Sequence, residues 1–209
     1  MFGIRLFLVC ALFAILPAAN GNQQSSSQPS WIDDLRLGGY VIVLRHGATV
    51  SAQSGTDSMS RTSASGASAE RQLNEEGRAQ ARSIGESMRR LKIPVALVLT
   101  SPIQRAVDTA TLLGFGEVTA DPDLAEAVSP EGSNRRAIAF RKLAVTLPPA
   151  DNNVVIVSHK PNIIEAFGKD WYDVREGEAS VFEPDGHGGY RLIVRIQANE
   201  WSKWMQGAD

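Results

Sequence analysis

Three short polar clusters carry the side chains most able to do chemistry: Leu44-Arg45-His46-Gly47, Ser101-Pro102-Ile103-Gln104-Arg105-Ala106 and Val157-Ser158-His159-Lys160-Pro161. Each follows an apolar run that reads as a strand, and open α/β sheets place their ligand crevices at strand C-termini. Brought to one sheet edge, two histidines and two arginines would offer a nitrogen nucleophile and charge-assisted donors for a phosphoryl dianion. Two helix N-termini with free N–H groups would lie beside them. Taken singly, each cluster is weak. An Arg-His-Gly triplet arises by chance in about one chain in a hundred of this length. A lone histidine after a strand is more often structural, and an arginine one turn into a helix is more often solvated. The argument rests on convergence: the chain has three histidines, and two of them fall between an apolar run and a helix start. The third, His187, sits in a glycine-rich turn and is read as inert.

Other chemistries find less support. A zinc site built on two histidines needs two carboxylates as well, and no metal-ligand spacing occurs, so no metal and no cofactor are expected. Neither a P-loop nor a nucleophilic serine elbow is present.

The elements that must position these clusters are legible in outline. Tyr40 to Leu44 is a continuous apolar run after Gly38 and Gly39, as expected of a buried central strand. Ala81, Ile84, Met88 and Leu91 recur at helical spacing, with Asn74 as the capping residue. A second buried strand is expected from Val95 to Leu99, then a helix capped by Ser101 with Pro102 in its first turn and ended by Gly114. A strand near Val118, a helix from Arg135 to Val145, a strand over Val154 to Val157 and a helix from Pro161 follow. Ser180 to Glu183 and Tyr190 to Ile196 form a closing hairpin. The pattern predicts a three-layer α/β/α sandwich around a mostly parallel sheet with an antiparallel C-terminal hairpin. Residues 50–69, rich in Ser, Thr, Ala and Gly, read as a long surface loop.

The chain has 209 residues, 43% of them hydrophobic and 21% charged, enough for one sizeable core. A formal net charge of −2 excludes a broad basic surface for nucleic acid. At the N-terminus, Arg5 precedes an apolar run over 6–16 that ends in Pro17-Ala18-Ala19-Asn20-Gly21. This order reads as a signal peptide over 1–21, whose apolar run is too short to span a bilayer. A flexible leader over 22–30 and a folded domain over 31–209 follow. The expected location is periplasmic or extracellular, with no stable membrane insertion after cleavage. Cys10, the single cysteine, lies in the apolar run and would be removed with it.

The Leu-Arg-His-Gly cluster, the Ser-Pro-x-x-Arg-Ala-x-x-Thr-Ala run over Ser101 to Ala110 and Ser-His-x-Pro over Ser158 to Pro161 resemble the histidine phosphatase superfamily, also called phosphoglycerate mutase-like. Arg71, Leu73, Asn74, Gly77 and Gln80-Ala81 resemble the segment that opens the first long helix in these proteins. The resemblance spans residues 38–197. It implies that His46 attacks phosphorus to form a phosphohistidine and that Arg45, Arg105 and His159 hold the phosphoryl oxygens. It also implies a carboxylic acid that protonates the leaving oxygen. Glu126, in a Leu-x-Glu setting, best resembles that acid, with Asp121, Asp123 and Glu131 nearby. The expected activity is metal-independent hydrolysis of a phosphomonoester, the partner a small phosphorylated molecule such as an envelope-sugar phosphate. The alternatives are a phosphoglycerate mutase-type phosphotransferase, a protein-phosphohistidine phosphatase and a non-catalytic module that binds phosphorylated ligands.

Overall fold

The computed structural model describes residues 29–50, 71–127 and 129–205; the expected signal peptide, most of the leader and nearly all of the loop over 50–69 lie outside them. The chain runs α1 (Ser30–Leu37), β1 (Val41–Arg45), α2 (Glu75–Arg90), β2 (Val95–Thr100), α3 (Gln104–Leu113), β3 (Val118–Ala120), α4 (Pro130–Ala144), β4 (Asn153–Ser158), α5 (Lys160–Phe167), β5 (Ala179–Pro184) and β6 (Tyr190–Ile196). The six strands form one sheet in the order β3-β2-β4-β1-β5-β6. The first four in that order pair in parallel, while β5 is antiparallel to both β1 and β6.

Period-two alternation divides the strands between two cores. Ile42, Leu44, Val155 and Val157 face one side, where they pack with Leu35, Ile84, Met88 and Leu113 of α1, α2 and α3. Val41, Val43, Val154 and Ile156 face the other, against Phe140 of α4 and Ile163 of α5. The result is the expected α/β/α sandwich. Because β1 and β4 are buried along both faces, their sequences are unbroken apolar runs. Each fully buried Ile, Leu or Phe contributes about 1.5–3 kcal/mol relative to leaving it in water.

Local signals account for the element ends. Asn74 caps α2 by accepting the Gly77 N–H at 2.8 Å, and Gly114 closes α3 in the left-handed conformation, φ 73°. Ser129 caps α4, which begins at Pro130, five residues before the expected start. Asn153, wholly buried, accepts from Tyr40 N and donates to the Leu35 and Pro94 carbonyls, tying together the edge of the sheet opposite the polar clusters.

Three expectations change. Helix α1 was not foreseen from the sequence. Strand β2 is buried only at Val98 and Thr100, because β3 is three residues long and covers Val98 to Thr100 alone, leaving Val95 to Leu97 without a neighbour on that side. Ser101 and Pro102 precede α3 instead of opening it. The helix begins at Gln104 after Ile103 and has no side-chain cap. The Ser101 hydroxyl accepts the Ile103 N–H at 3.2 Å and faces the second histidine.

Candidate active site

Parallel register brings the clusters together. Arg45 stands opposite Ser158 and Thr100 opposite Val157, so the next residues, His46, Ser101 and His159, emerge at one sheet edge. Backbone bonds hold the exits: His46 N donates to Ser158 O and Ser101 N to Val157 O, both at 3.0 Å. The two imidazoles lie with centroids 5.4 Å apart. His46 is 2% exposed and His159 is fully buried.

His46 Nδ1 donates to its neighbour's carbonyl, Gly47 O, at 2.9 Å. That bond places the proton on Nδ1 and leaves Nε2 with a free lone pair. Burial lowers the pKa of His46 to about 3; the Gly47 bond opposes this, while the charges of Arg105, Arg45 and Arg71 add to it. For His159, burial and then the charges of Arg105, His46, Arg45 and Arg71 lower it to about 2. Both rings are therefore neutral at pH 7 in the ligand-free site. A ring this deep among guanidinium groups does not hold a proton in the absence of an anion. His159 Nε2 faces the Ser101 hydroxyl at 2.8 Å. Nδ1 is buried without a hydrogen bond among the described residues, 3.5 Å from Glu126 Oε1.

The turn after β1 is clamped by helices α2 and α3. Thr109, the threonine of the Ser-Pro-x-x-Arg-Ala-x-x-Thr run, accepts the Gly47 N–H at 3.0 Å while its hydroxyl donates to Arg105 O at 2.7 Å. Gln80 accepts the Ala48 N–H at 3.0 Å. A Cβ on Gly47 would stand 2.7 Å from Gly77 O, and one on Gly77 would stand 2.0 Å from Ala48 O. Both glycines serve this close backbone approach. The space beside Gly47 is filled by α2.

All five expected site residues converge. Arg105 on α3 donates to Glu126 Oε1 at 2.7 Å. The backbone beneath Glu126 is anchored from three sides: Ser158 Oγ donates to Leu124 O and Asn162 Nδ2 to Ala125 O. Arg136 donates to the carbonyls of Ala125 and Glu126. Of the competing carboxylates, Asp121 caps the turn over Pro122–Leu124, and Asp123 pairs with Arg135 at 2.5 Å. Glu131 lies in the first turn of α4. Among these four, Glu126 alone pairs with Arg105 and lies near His159, 3.5 Å from its Nδ1. Arg45 donates to Val174 O at 2.8 Å and lies 3.5 Å from Glu176.

Further residues enter from beyond the motifs. Arg71 reaches Thr49 Oγ1 at 2.8 Å and Glu176 at 3.3 Å, and its charge is felt by both histidines. The sequence marked Arg71 only as part of a helix-opening segment. Glu176, which accepts from the Thr49 hydroxyl at 2.8 Å, comes from the segment before β5, where no sequence signal pointed to the site. That segment is fastened to the nucleophile turn, since Gly177 N donates to both Arg45 O and His46 O. Among the described residues, no three His, Cys, Asp or Glu side chains form a group able to hold a metal ion, and no helix is long and apolar enough to cross a membrane.

Two histidines, two arginines and a carboxylate thus meet at one edge of the sheet in an α/β/α sandwich. A model of the histidine phosphatase superfamily (branch 1) matches residues 41–132, which hold His46, Arg71, Arg105 and Glu126. Over those residues the chain is similar to that superfamily. An uncharacterised protein of Picosynechococcus sp. is 26% identical over 136 residues, 62% of this chain and 78% of its own length. An Escherichia coli protein whose proposed activity is that of an alpha-ribazole-5'-P phosphatase superposes with a TM-score of 0.57 at 17% identity, covering 77% of this chain and 98% of that one. The protein histidine phosphatase SixA, complexed with tungstate, superposes with a TM-score of 0.54 at 17% identity over 77% of this chain and 97% of its own. A phosphoserine phosphatase of Entamoeba histolytica, in complex with 3-phosphoglyceric acid, gives 0.50 at 15% identity over 76% and 96%. At these identities the superpositions establish the shared fold.

Proposed function

We propose that this chain is a phosphatase that hydrolyses small phosphomonoesters through a phosphohistidine on His46, without a metal ion. The observation that carries this reading is the bond from His46 Nδ1 to Gly47 O, which leaves a neutral ring with its Nε2 lone pair available in a site edged by Arg45, Arg105 and His159. Nε2 attacks phosphorus as the bond to the leaving oxygen breaks, and Glu126 supplies the proton that this oxygen needs. Negative charge on the phosphoryl oxygens is met by guanidinium and imidazole N–H groups already in place. In the ligand-free site Glu126 occupies Arg105; the incoming dianion takes over that guanidinium and frees the carboxyl group for proton transfer. The Nδ1–H of His159, with Nε2 accepting from Ser101, is one such donor. Glu126 then takes a proton from water, which attacks phosphorus and breaks the P–N bond to release phosphate.

Rapid quenching with labelled substrate tests the covalent step. It should trap up to one phosphate per chain, labile in acid and stable in alkali, on the peptide containing Arg45-His46-Gly47. His46→Ala should abolish label and turnover, whereas His159→Ala should retain slow labelling at a loss of about 10²–10³ in rate. An acid-stable label on a serine, or near wild-type turnover by His46→Ala, would overturn the reading. We also propose that the protein is exported, on the strength of Arg5, the apolar run and its small-residue exit. An intact Met1 in the cytosolic fraction of the native host would refute export.

A further inference from the structure

Glu178, immediately before β5, plays no part in the phosphoryl chemistry, yet it is only 1% exposed. A carboxylate taken that far out of water is costly unless donors surround it. Here its Oε1 accepts from Arg195 Nε of β6 at 2.6 Å and lies 2.5 Å from Arg195 Nη2. Its Oε2 accepts from Gln197 Nε2 at 2.6 Å and from Arg175 N at 3.1 Å. Arg195 extends this knot back along the chain, donating from Nη1 to Asp170 O at 3.0 Å and from Nη2 to Asp173 Oδ1 at 2.8 Å. Strand β6 therefore holds the segment 170–178 at Asp170, Asp173 and Glu178. A buried ion pair adds little net stability over apolar side chains of the same volume, but several bonds to one guanidinium fix its geometry. The segment so fixed is the one that meets the first arginine of the site. Val174 O accepts from Arg45 Nη1 at 2.8 Å, and Glu176 lies 3.5 Å from Arg45 Nη2. Gly177 N donates to the Arg45 and His46 carbonyls, and Glu178 O accepts from Arg45 N at 3.0 Å.

Resting on the phosphatase reading above for the role of Arg45, we propose that Glu178 and Arg195 are positioning residues that aim the Arg45 guanidinium at the phosphoryl group through the segment 170–178. Glu178 is closed off from solvent and acts through Arg45, whose side chain is directed by Val174 O and Glu176. The same side chain joins the two strands that flank the segment: its backbone is bonded to the end of β1 and its carboxylate to β6. Loosening the knot lets Val174 and Glu176 shift and sets the guanidinium out of line with the phosphate, while His46 keeps its own bond to Gly47.

A double-mutant cycle on the affinity for inorganic phosphate, read from amide shifts in an NMR titration, provides the test. Glu178→Gln keeps the size of the side chain and turns an amide NH₂ or an uncharged oxygen towards the donors. It should weaken phosphate binding by about tenfold, as expected for one charge-assisted bond set out of line. In an Arg45→Met background the same substitution should have no further effect, because the group it positions is gone. Arg191→Met removes the exposed Arg191–Glu183 pair between the same two strands and should leave phosphate affinity unchanged. Should Glu178→Gln fail to fold, the Glu178→Gln, Arg195→Met double variant carries the same test, since it removes both buried charges together. An unchanged affinity, an equal loss in the Arg45→Met background, or an equal loss in Arg191→Met overturns the proposal. Failure of both Glu178 variants to fold assigns the pair to stability and overturns it as well. Failure to turn over any phosphomonoester while phosphate binds and the cycle still couples Glu178 to Arg45 overturns the phosphatase reading and leaves the positioning role standing. Phosphate that does not bind the wild type overturns both.

Discussion

Lowering the pH from 7 to 5 should weaken the native state by about 4 kcal/mol through His46 and His159 alone. Folding moves the two rings from 6.5 to about 3 and about 2. Between pH 6.5 and 3 the unfolded chain therefore binds protons that the native site refuses, and stability rises with pH across that window. One pH unit of such a difference is worth about 1.4 kcal/mol per group, so at pH 5, 1.5 units below the unfolded value, each ring costs about 2 kcal/mol. Above pH 6.5 neither ring protonates in either state and the contribution is zero. His46→Gln should remove one of the two contributions, leaving a pH loss smaller by about 2 kcal/mol. Urea unfolding of wild type and variant at pH 7 and pH 5 measures this double difference; carboxylates common to both proteins cancel. Equal pH losses in the two proteins, or assigned imidazole resonances of His46 and His159 that titrate near 6.5 in the folded wild type, would refute the reasoning. The same depression keeps the free nucleophile neutral, so a loss of activity near pH 5 must come from a group other than His46.

Glu126→Gln should slow alkyl phosphates by about 10²–10⁴ and aryl phosphates with good leaving groups far less, since only the poor leaving oxygen needs a proton; equal losses in steady-state rates on both substrates would count against it. Turnover should survive dialysis against a chelator, because the proposed site neutralises charge with Arg45, Arg105 and His159; activity lost and then recovered with one added metal would contradict this. Gly77→Ala should destabilise the fold by about 1–3 kcal/mol and lower kcat, since its Cβ would stand 2.0 Å from Ala48 O in the nucleophile turn; unchanged urea midpoints would contradict the contact.

Much of the site was legible in sequence because its residues follow apolar strands directly. Val41 to Leu44 and Val154 to Val157 are buried on both faces, so hydrophobic continuity locates them without reference to their partners, and His46 and His159 inherit their positions from that placement. Asn74 and Gly114 act through bonds or backbone angles within a few residues, and such signals survive in one dimension. Features that depend on distant segments did not. The partial exposure of β2 follows from the shortness of β3, and Gly47 is explained by Gly77 across 30 residues. Glu176 reaches Arg45 and Arg71 because β5 returns antiparallel beside β1 and because Gly177 is bonded to the His46 backbone. The neutrality of His159 was likewise beyond the sequence. Its residue type allowed a charged donor at neutral pH, whereas burial among guanidinium groups, a property of the assembled edge, decided otherwise.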